Sequence, residues 1–155
     1  MLRAITPKDA TAVAALVRAA FAMQSVPTDP PASALRLTAA DVRAHLAAGG
    51  GGTVVEEAGV IVASIMWSEE GRGLYIARLA VASAWRRRGH ARALLRAAEE
   101  AARAAGLAQL LLGTRLALLD NRRLFADAGF VEVARHAHPG YAAPTWVAME
   151  KRLAV

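Results

Sequence analysis

The densest chemistry in the chain lies between Tyr75 and Arg92, in the stretch YIARLAVASAWRRRGHAR. An apolar run ends near Val81, a short connection crosses residues 82–85, and a helical period begins at about Gly89. Backbone N–H groups at a helix start lack partners and the helix dipole is positive there, so such a turn suits a bound diphosphate. A larger side chain at Gly89 or Ala91 would hold phosphates away from the main chain. Arg86, Arg87 and Arg88 add positive charge without needing a fixed geometry. The strand before, the amphipathic helix after and a second strand beyond set this stretch apart from a glycine that merely makes a turn. Dinucleotide and nucleoside triphosphate loops need another glycine spacing or a Gly-Lys-Ser/Thr ending, which this chain lacks.

The elements that must position this turn follow from hydrophobic period. Residues 2–6 read as a strand, and Val13, Leu16, Val17, Ala20 and Phe21 fall at helical spacing behind Pro7 and Asp9. Pro27, Pro30 and Pro31 make residues 24–36 a loop, the best candidate for a mobile flap. Thr38 or Asp41 can cap a short helix through Leu46, which residues 49–52 end. Residues 53–57, 60–67 and 74–81 read as an antiparallel meander with short connections. Along residues 89–105, Ala91, Leu94, Leu95, Ala98, Ala102 and Ala105 share one helical face, and Gly106 supplies the stop. Residues 107–114 form a continuous apolar run, expected as a strand buried on both faces and reached by a right-handed parallel crossover. Asp120 or Asn121 is expected to cap a short helix ending at Ala128 and Gly129, with residues 130–136 and 145–153 as a last strand pair.

Composition bounds the answer. A chain of 155 residues, 55% hydrophobic and 21% charged, makes one domain with one sizeable core. No apolar run approaches the roughly 20 residues that span a bilayer, and Arg3, Pro7, Lys8 and Asp9 interrupt any signal-peptide core, so a soluble, cytoplasmic protein with no membrane partner is expected. Without cysteine there is no disulfide, thiolate nucleophile or cysteine-held metal, and four histidines argue against a metal site of another kind. The charge of +6 and isoelectric point near 11.0 raise nucleic acid as a partner. The cations are spread along the chain, however, and read better as a solvated arginine-rich surface.

The stretch Arg86-Arg87-Arg88-Gly89-His90-Ala91, behind the strand Leu79-Ala80-Val81, resembles the Q/R-x-x-G-x-G/A motif of the GNAT family of N-acetyltransferases. The order of elements and the later LFADAGF, from Leu124 to Phe130, extend the resemblance over nearly the whole chain. It implies an α/β fold: one N-acetyltransferase domain over residues 1–155, with a mixed, mostly antiparallel sheet flanked by helices and one parallel pair at the cofactor. It implies acetyl-CoA as cosubstrate, with the pantetheine arm along Leu79, Ala80 and Val81 and the pyrophosphate on the amides of Arg87, Arg88, Gly89, His90, Ala91 and Arg92. Two strands, 74–81 and 107–114, are expected to splay and admit the thioester, while a primary amine of a small molecule or protein enters from the other side. The amide of Val81 is the candidate for polarising the carbonyl.

Side chains depart from the family's pattern. Its frequent tyrosine acid corresponds to Phe125, its asparagine to Leu118 and its glutamate base to Gly113, while Asn121 falls out of register for the pantetheine contact. Replacements must come from elsewhere. Tyr141 lies on the loop that borders the acceptor pocket in the family, and is a candidate acid unless it only packs against Pro139 and Pro144. His136 and His138 alternate with Ala137, and His138 is a candidate base through water. Trp67, Tyr75 and Trp146 could line an acceptor pocket or be ordinary strand residues. Arg78 could favour an acidic acceptor or pair with a glutamate, while Glu56, Glu57, Glu69 and Glu70 read as solvated. Release of the thiolate to solvent is a further route, because a free thiol titrates near pH ~8.5. Two rival functions stand beside acetyl transfer: an acyl-CoA-binding module without catalysis, and a basic nucleic-acid-binding domain. A homodimer through the apolar strands near the carboxyl terminus completes the list of partners.

Overall fold

Alternating strands and helices order the chain in the computed structural model, which describes residues 1–24 and 26–154. The strands are β1 (Leu2–Ala4), β2 (Gly51–Glu57), β3 (Val60–Glu70), β4 (Gly73–Val81), β5 (Gln109–Arg115), β6 (Val131–His136) and β7 (Trp146–Arg152). The helices are α1 (Ala10–Ala22), α2 (Ala39–Ala47), α3 (His90–Ala104) and α4 (Leu119–Asp127). Among the described residues these seven strands form one sheet in the order β1-β2-β3-β4-β5-β7-β6, and only β4 and β5 pair in parallel. This is the expected mixed, mostly antiparallel α/β architecture.

Local chemistry sets the ends of the elements. Thr38 caps α2 through a reciprocal box: its hydroxyl accepts from the Asp41 N–H at 3.1 Å, and the Asp41 carboxylate accepts from the Thr38 N–H at 3.0 Å. The buried Asp9 carboxylate takes two hydrogen bonds from the Arg3 guanidinium, at 2.8 and 2.9 Å, tying β1 to the start of α1. Those bonds, opposed by burial and helped by the Thr6 N–H, lower its pKa from 3.8 to about 2. A depressed carboxylate stabilises the fold above its unfolded pKa, by about 2 kcal/mol here, and that contribution is lost as pH falls from 3.8 toward 2.

Two apolar clusters cover opposite faces of the sheet. On one face, Leu94, Leu95, Ala98 and Ala102 of α3 and Phe125 of α4 pack on Ile65, Ile76, Leu110, Leu112, Val147 and Met149. On the other, Val13 and Val17 of α1 and Val42 of α2 pack on Val54, Met66 and Ala80. The second cluster stops at β4, and every residue of β6 is exposed.

Three expectations need correcting. β5 is buried on one face only: Leu110, Leu112 and Thr114 are buried, Leu111 and Arg115 half-buried, and Gly113 exposed. No helix covers its other face, which instead borders a cleft. α4 is capped by neither Asp120 nor Asn121; Leu118 occupies the cap without a side-chain bond, and Asp120 lies in the first turn, where the dipole still favours its charge. The segment expected as a loop at 24–36 contains a 3-10 turn at Ser33–Arg36, and its Ser25 lies outside the described residues.

The feature that makes the site is a parting of strands. β4 and β5 are paired only where Gly73, Leu74 and Tyr75 face Gln109, Leu110 and Leu111. Both strands run on, to Val81 and Arg115, without each other, while β5 stays paired with β7 throughout. On its other side β4 slips register against β3 between Ser64 and Met66, and within that bulge Arg78 takes a left-handed φ of 57°. A side chain there costs on the order of 1 kcal/mol or more, and strain of this kind is characteristic of bulges beside functional sites.

Candidate active site

A cleft of about 900 Å³ runs from the parting of β4 and β5 to the start of α3. One wall is the free edge of β4. The Ala82 N–H donates to the Val62 carbonyl at 2.8 Å and Ala80 pairs with Ser64. Alternation in an antiparallel ladder then turns the polar groups of Val81 to the opposite side, where β5 has departed. Leu79, Ala80 and Val81 all line the cleft.

The far end of the cleft is the amino terminus of α3. Gly89 caps this 15-residue helix with φ 80° and ψ 10°, and no side chain caps it. The first helical bond runs from the Ala93 N–H to the Gly89 carbonyl at 3.0 Å, so the N–H groups of His90, Ala91 and Arg92 have no partner within the helix. Gly89, His90, Ala91 and Arg92 line the cleft with Arg86 and Arg87. A Cβ added to Gly89 would meet nothing within 4 Å, and the buried Nε2 of His90 has no partner in the protein. Open backbone, an orphaned imidazole nitrogen and cationic side chains are what a diphosphate ester would fit. The Arg88 guanidinium turns aside from the cleft: it stacks on Trp85 at 4.6 Å and donates to the Ala84 carbonyl.

At the parting itself Gly113 sits between two aromatic groups. A Cβ there would come within 3.1 Å of the Trp146 ring and 3.2 Å of the Tyr75 hydroxyl. Tyr75 and Trp146 both line the cleft, whereas Trp67 lines an adjoining hollow of about 500 Å³ beyond Arg78, with its Nε1 against Gly51. Burial, then the charge of Glu70, raises the Tyr75 pKa above the ordinary phenol value, so its proton stays on. Phe125 is buried edge-on against Phe130 and offers no proton, and Leu118 beside it is also buried.

The two candidates for proton transfer separate. His138 lines the cleft, its Nδ1 hydrogen-bonded to the Thr145 hydroxyl. Desolvation first, and the neighbouring Arg115 second, lower its pKa below 6.5. His136 lies on β6 with its ring 4.5 Å from that of Trp146, so the two histidines do not share one environment. Tyr141 stands outside the cleft: its hydroxyl donates to Asp29 at 2.6 Å, and that bond leads the causes holding its pKa up. Sequence reasoning passed over Arg115, which is half-buried, lines the cleft and donates to the Pro30 carbonyl at 2.6 Å. The signal was the alternation of Leu111, Gly113 and Arg115 on one face of β5, hidden by the apolar run around it.

The model of the acetyltransferase (GNAT) family matches residues 15–130, most of the chain. The chain belongs to the GNAT acetyltransferase family. Solved structures agree at the level of fold. A GNAT-family chain from Desulfovibrio desulfuricans superposes with a TM-score of 0.83 at 21% identity, covering 99% of both chains. The yncA protein of Salmonella typhimurium, solved with its cofactor acetyl-CoA, gives 0.76 at 18% identity over 100% of this chain and 94% of its own. The PaiA N-acetyltransferase of Thermoplasma acidophilum, in complex with coenzyme A, gives 0.76 at 12% identity over 99% of both. No curated protein sequence matches this GNAT chain significantly. Among its described residues no helix is long and apolar enough to cross a membrane.

Proposed function

We propose that the chain transfers an acetyl group from acetyl-CoA to a primary amine by direct attack. The observation that carries this reading is the continuity of one cleft, from the unpaired edge of β4 to the uncapped start of α3. In it, Leu79, Ala80 and Val81 hold the pantetheine arm through main-chain bonds. The amides of the turn from Arg87 to Arg92 hold the pyrophosphate, with Arg86 and Arg87 adding charge. Bound there, acetyl-CoA supplies an activated acyl group on a thioester and a thiol leaving group.

The rest falls to the protein. The Val81 N–H polarises the carbonyl from the edge that β5 has left, a preorganised donor of the kind that stabilises developing negative charge. Tyr75 and Trp146 flank the space over Gly113 and position the amine, with Trp67 extending the apolar wall. His138, held neutral, takes the ammonium proton through water. Tyr141, tied to Asp29, sets the position of the loop that carries His138. No side chain at the Phe125 position protonates the thiolate, and at a pKa near ~8.5 it takes its proton from solvent.

The absence of an acid at Phe125 and of a base at Gly113 favours one second reading, an acyl-CoA-binding module of the same fold without turnover. Thiol release from acetyl-CoA across a panel of primary amines separates the two. Acetyl transfer predicts release that depends on amine identity. Tight CoA binding with no release above hydrolysis for any amine would favour the module.

A further inference from the structure

Two arginines bracket the parting of the strands. Arg78 projects from the β4 bulge, Arg115 from the last position of β5, and both line the cleft. Elsewhere in the molecule the half-buried arginines meet carboxylates: Arg3 binds Asp9 and Glu56, and Arg122 binds Glu132. Arg78 and Arg115 do not. Among the described residues neither takes part in any ion pair within 4.0 Å. Each spends one N–H on a neutral oxygen, Arg78 on the Ser33 hydroxyl at 3.0 Å and Arg115 on the Pro30 carbonyl at 2.6 Å. A guanidinium has about five N–H donors, so most of their capacity is unspent.

The carboxylates nearby are otherwise engaged. Asp41, in the hollow beyond Arg78, serves the α2 capping box, and Asp29 accepts from Tyr141. Arg36 adds a further positive charge to that hollow, and burial, then Arg115, lowers the His138 pKa from its ordinary value. Burial is the leading influence on both guanidinium groups and works against their charge, offset in part by Asp41 near Arg78 and by Tyr141 and Asp29 near Arg115, none of them close enough to form an ion pair or hydrogen bond with the arginine. Arg78 also keeps its side chain at a left-handed position that glycine would occupy without strain. The cleft that the two arginines line also holds the Tyr75 hydroxyl, the bare backbone of Gly113 and the Trp146 ring.

We propose that the acceptor is a small amine carrying a carboxylate, which Arg78 and Arg115 bind while its hydrocarbon lies against Tyr75 and Trp146. The proposal rests on the reading of this cleft as an acetyl-transfer site, and it narrows the amine to an amino-acid-like class. Planar guanidinium groups match a carboxylate's two oxygens, and an amine without a carboxylate would leave most of their donors unspent.

The test pairs 2-phenylethylamine with phenylalanine, which differ only in the carboxylate, and adds phosphoethanolamine as an anion of another class. Binding to the full chain in the presence of CoA is followed calorimetrically, and turnover by thiol release. Phenylalanine is expected to bind, and to be used with kcat/KM, at least about tenfold better than 2-phenylethylamine. Arg115→Met and Arg78→Gly should each remove most of that difference without changing acetyl-CoA affinity. Arg78→Gly also relieves the left-handed strain, so its melting temperature should equal or exceed the native value. Release with both amines but no preference, or a preference that survives both substitutions, would overturn the carboxylate assignment while leaving acetyl transfer intact. Better binding of phosphoethanolamine than of phenylalanine would overturn it too. Failure to bind acetyl-CoA at all would instead overturn the acetyl-transfer reading, and the calorimetric comparison of the two phenyl amines would still decide the role of the arginines.

Discussion

Phe125 and Gly113 leave the cleft without the two polar side chains that the family resemblance led us to look for, and the chemistry passes to their neighbours. The Tyr75 hydroxyl reaches the place a Gly113 side chain would fill, and His138 faces the cleft from the connection between β6 and β7. Burial and Arg115 hold His138 neutral below the ordinary imidazole value of 6.5. A base must be unprotonated to act, so the acid limb of kcat/KM should fall at a pH lower than 6.5, and His138→Gln should flatten it. A limb unmoved by that substitution would assign it to another group. The strand, turn and helix start at residues 79–92 were legible in the sequence because a glycine, a small neighbour and a change of hydrophobic period after a strand mark them. Arg115 was not, because one charged residue at the end of an apolar run gives no sign of which face it takes until its partners in β7 are known.

At the scale of elements, the period of α3, the start of α2 at Thr38 or Asp41 and the single parallel crossover could all be read from the chain, because each is set within a few residues by spacing or capping. The burial of β5 could not. An apolar run reads as buried on both faces, and only the stopping of the second helical layer at β4 leaves Gly113 and Arg115 beside a cleft. The β4 bulge was likewise hidden, since it carries an arginine where left-handed geometry usually selects glycine. The proline-rich segment, expected as a flap, is tied at two points: Asp29 to Tyr141, and Pro30 to Arg115. Tyr141→Phe removes the first tie. Amides around Thr28 and Asp29 should then exchange hydrogen faster, while protection in β5 and β7 is unchanged. Equal exchange in the two proteins would mean that this hydrogen bond does not hold the segment.

Across the whole molecule, the sheet is packed on both faces over β2–β4 and on one face over β5 and β7, β6 is exposed, and the strands part where these regions meet. The proposed acceptor side is thereby left accessible, while the other face of β5 and β7 stays packed under α3 and α4. A charge of +6 over such a surface attracts any polyanion, but the proposed site is one turn, with a helix start that no side chain caps and open space at its glycine. Gly89→Glu, measured by calorimetric titration with acetyl-CoA, tests that claim most directly. Its Cβ has room, and the cost of φ 80° to a side chain is about 1 kcal/mol, so the variant should fold. Affinity should drop at least about a hundredfold, as a carboxylate meets the pyrophosphate at the helix start. A folded variant that binds acetyl-CoA as the native chain does would contradict the account.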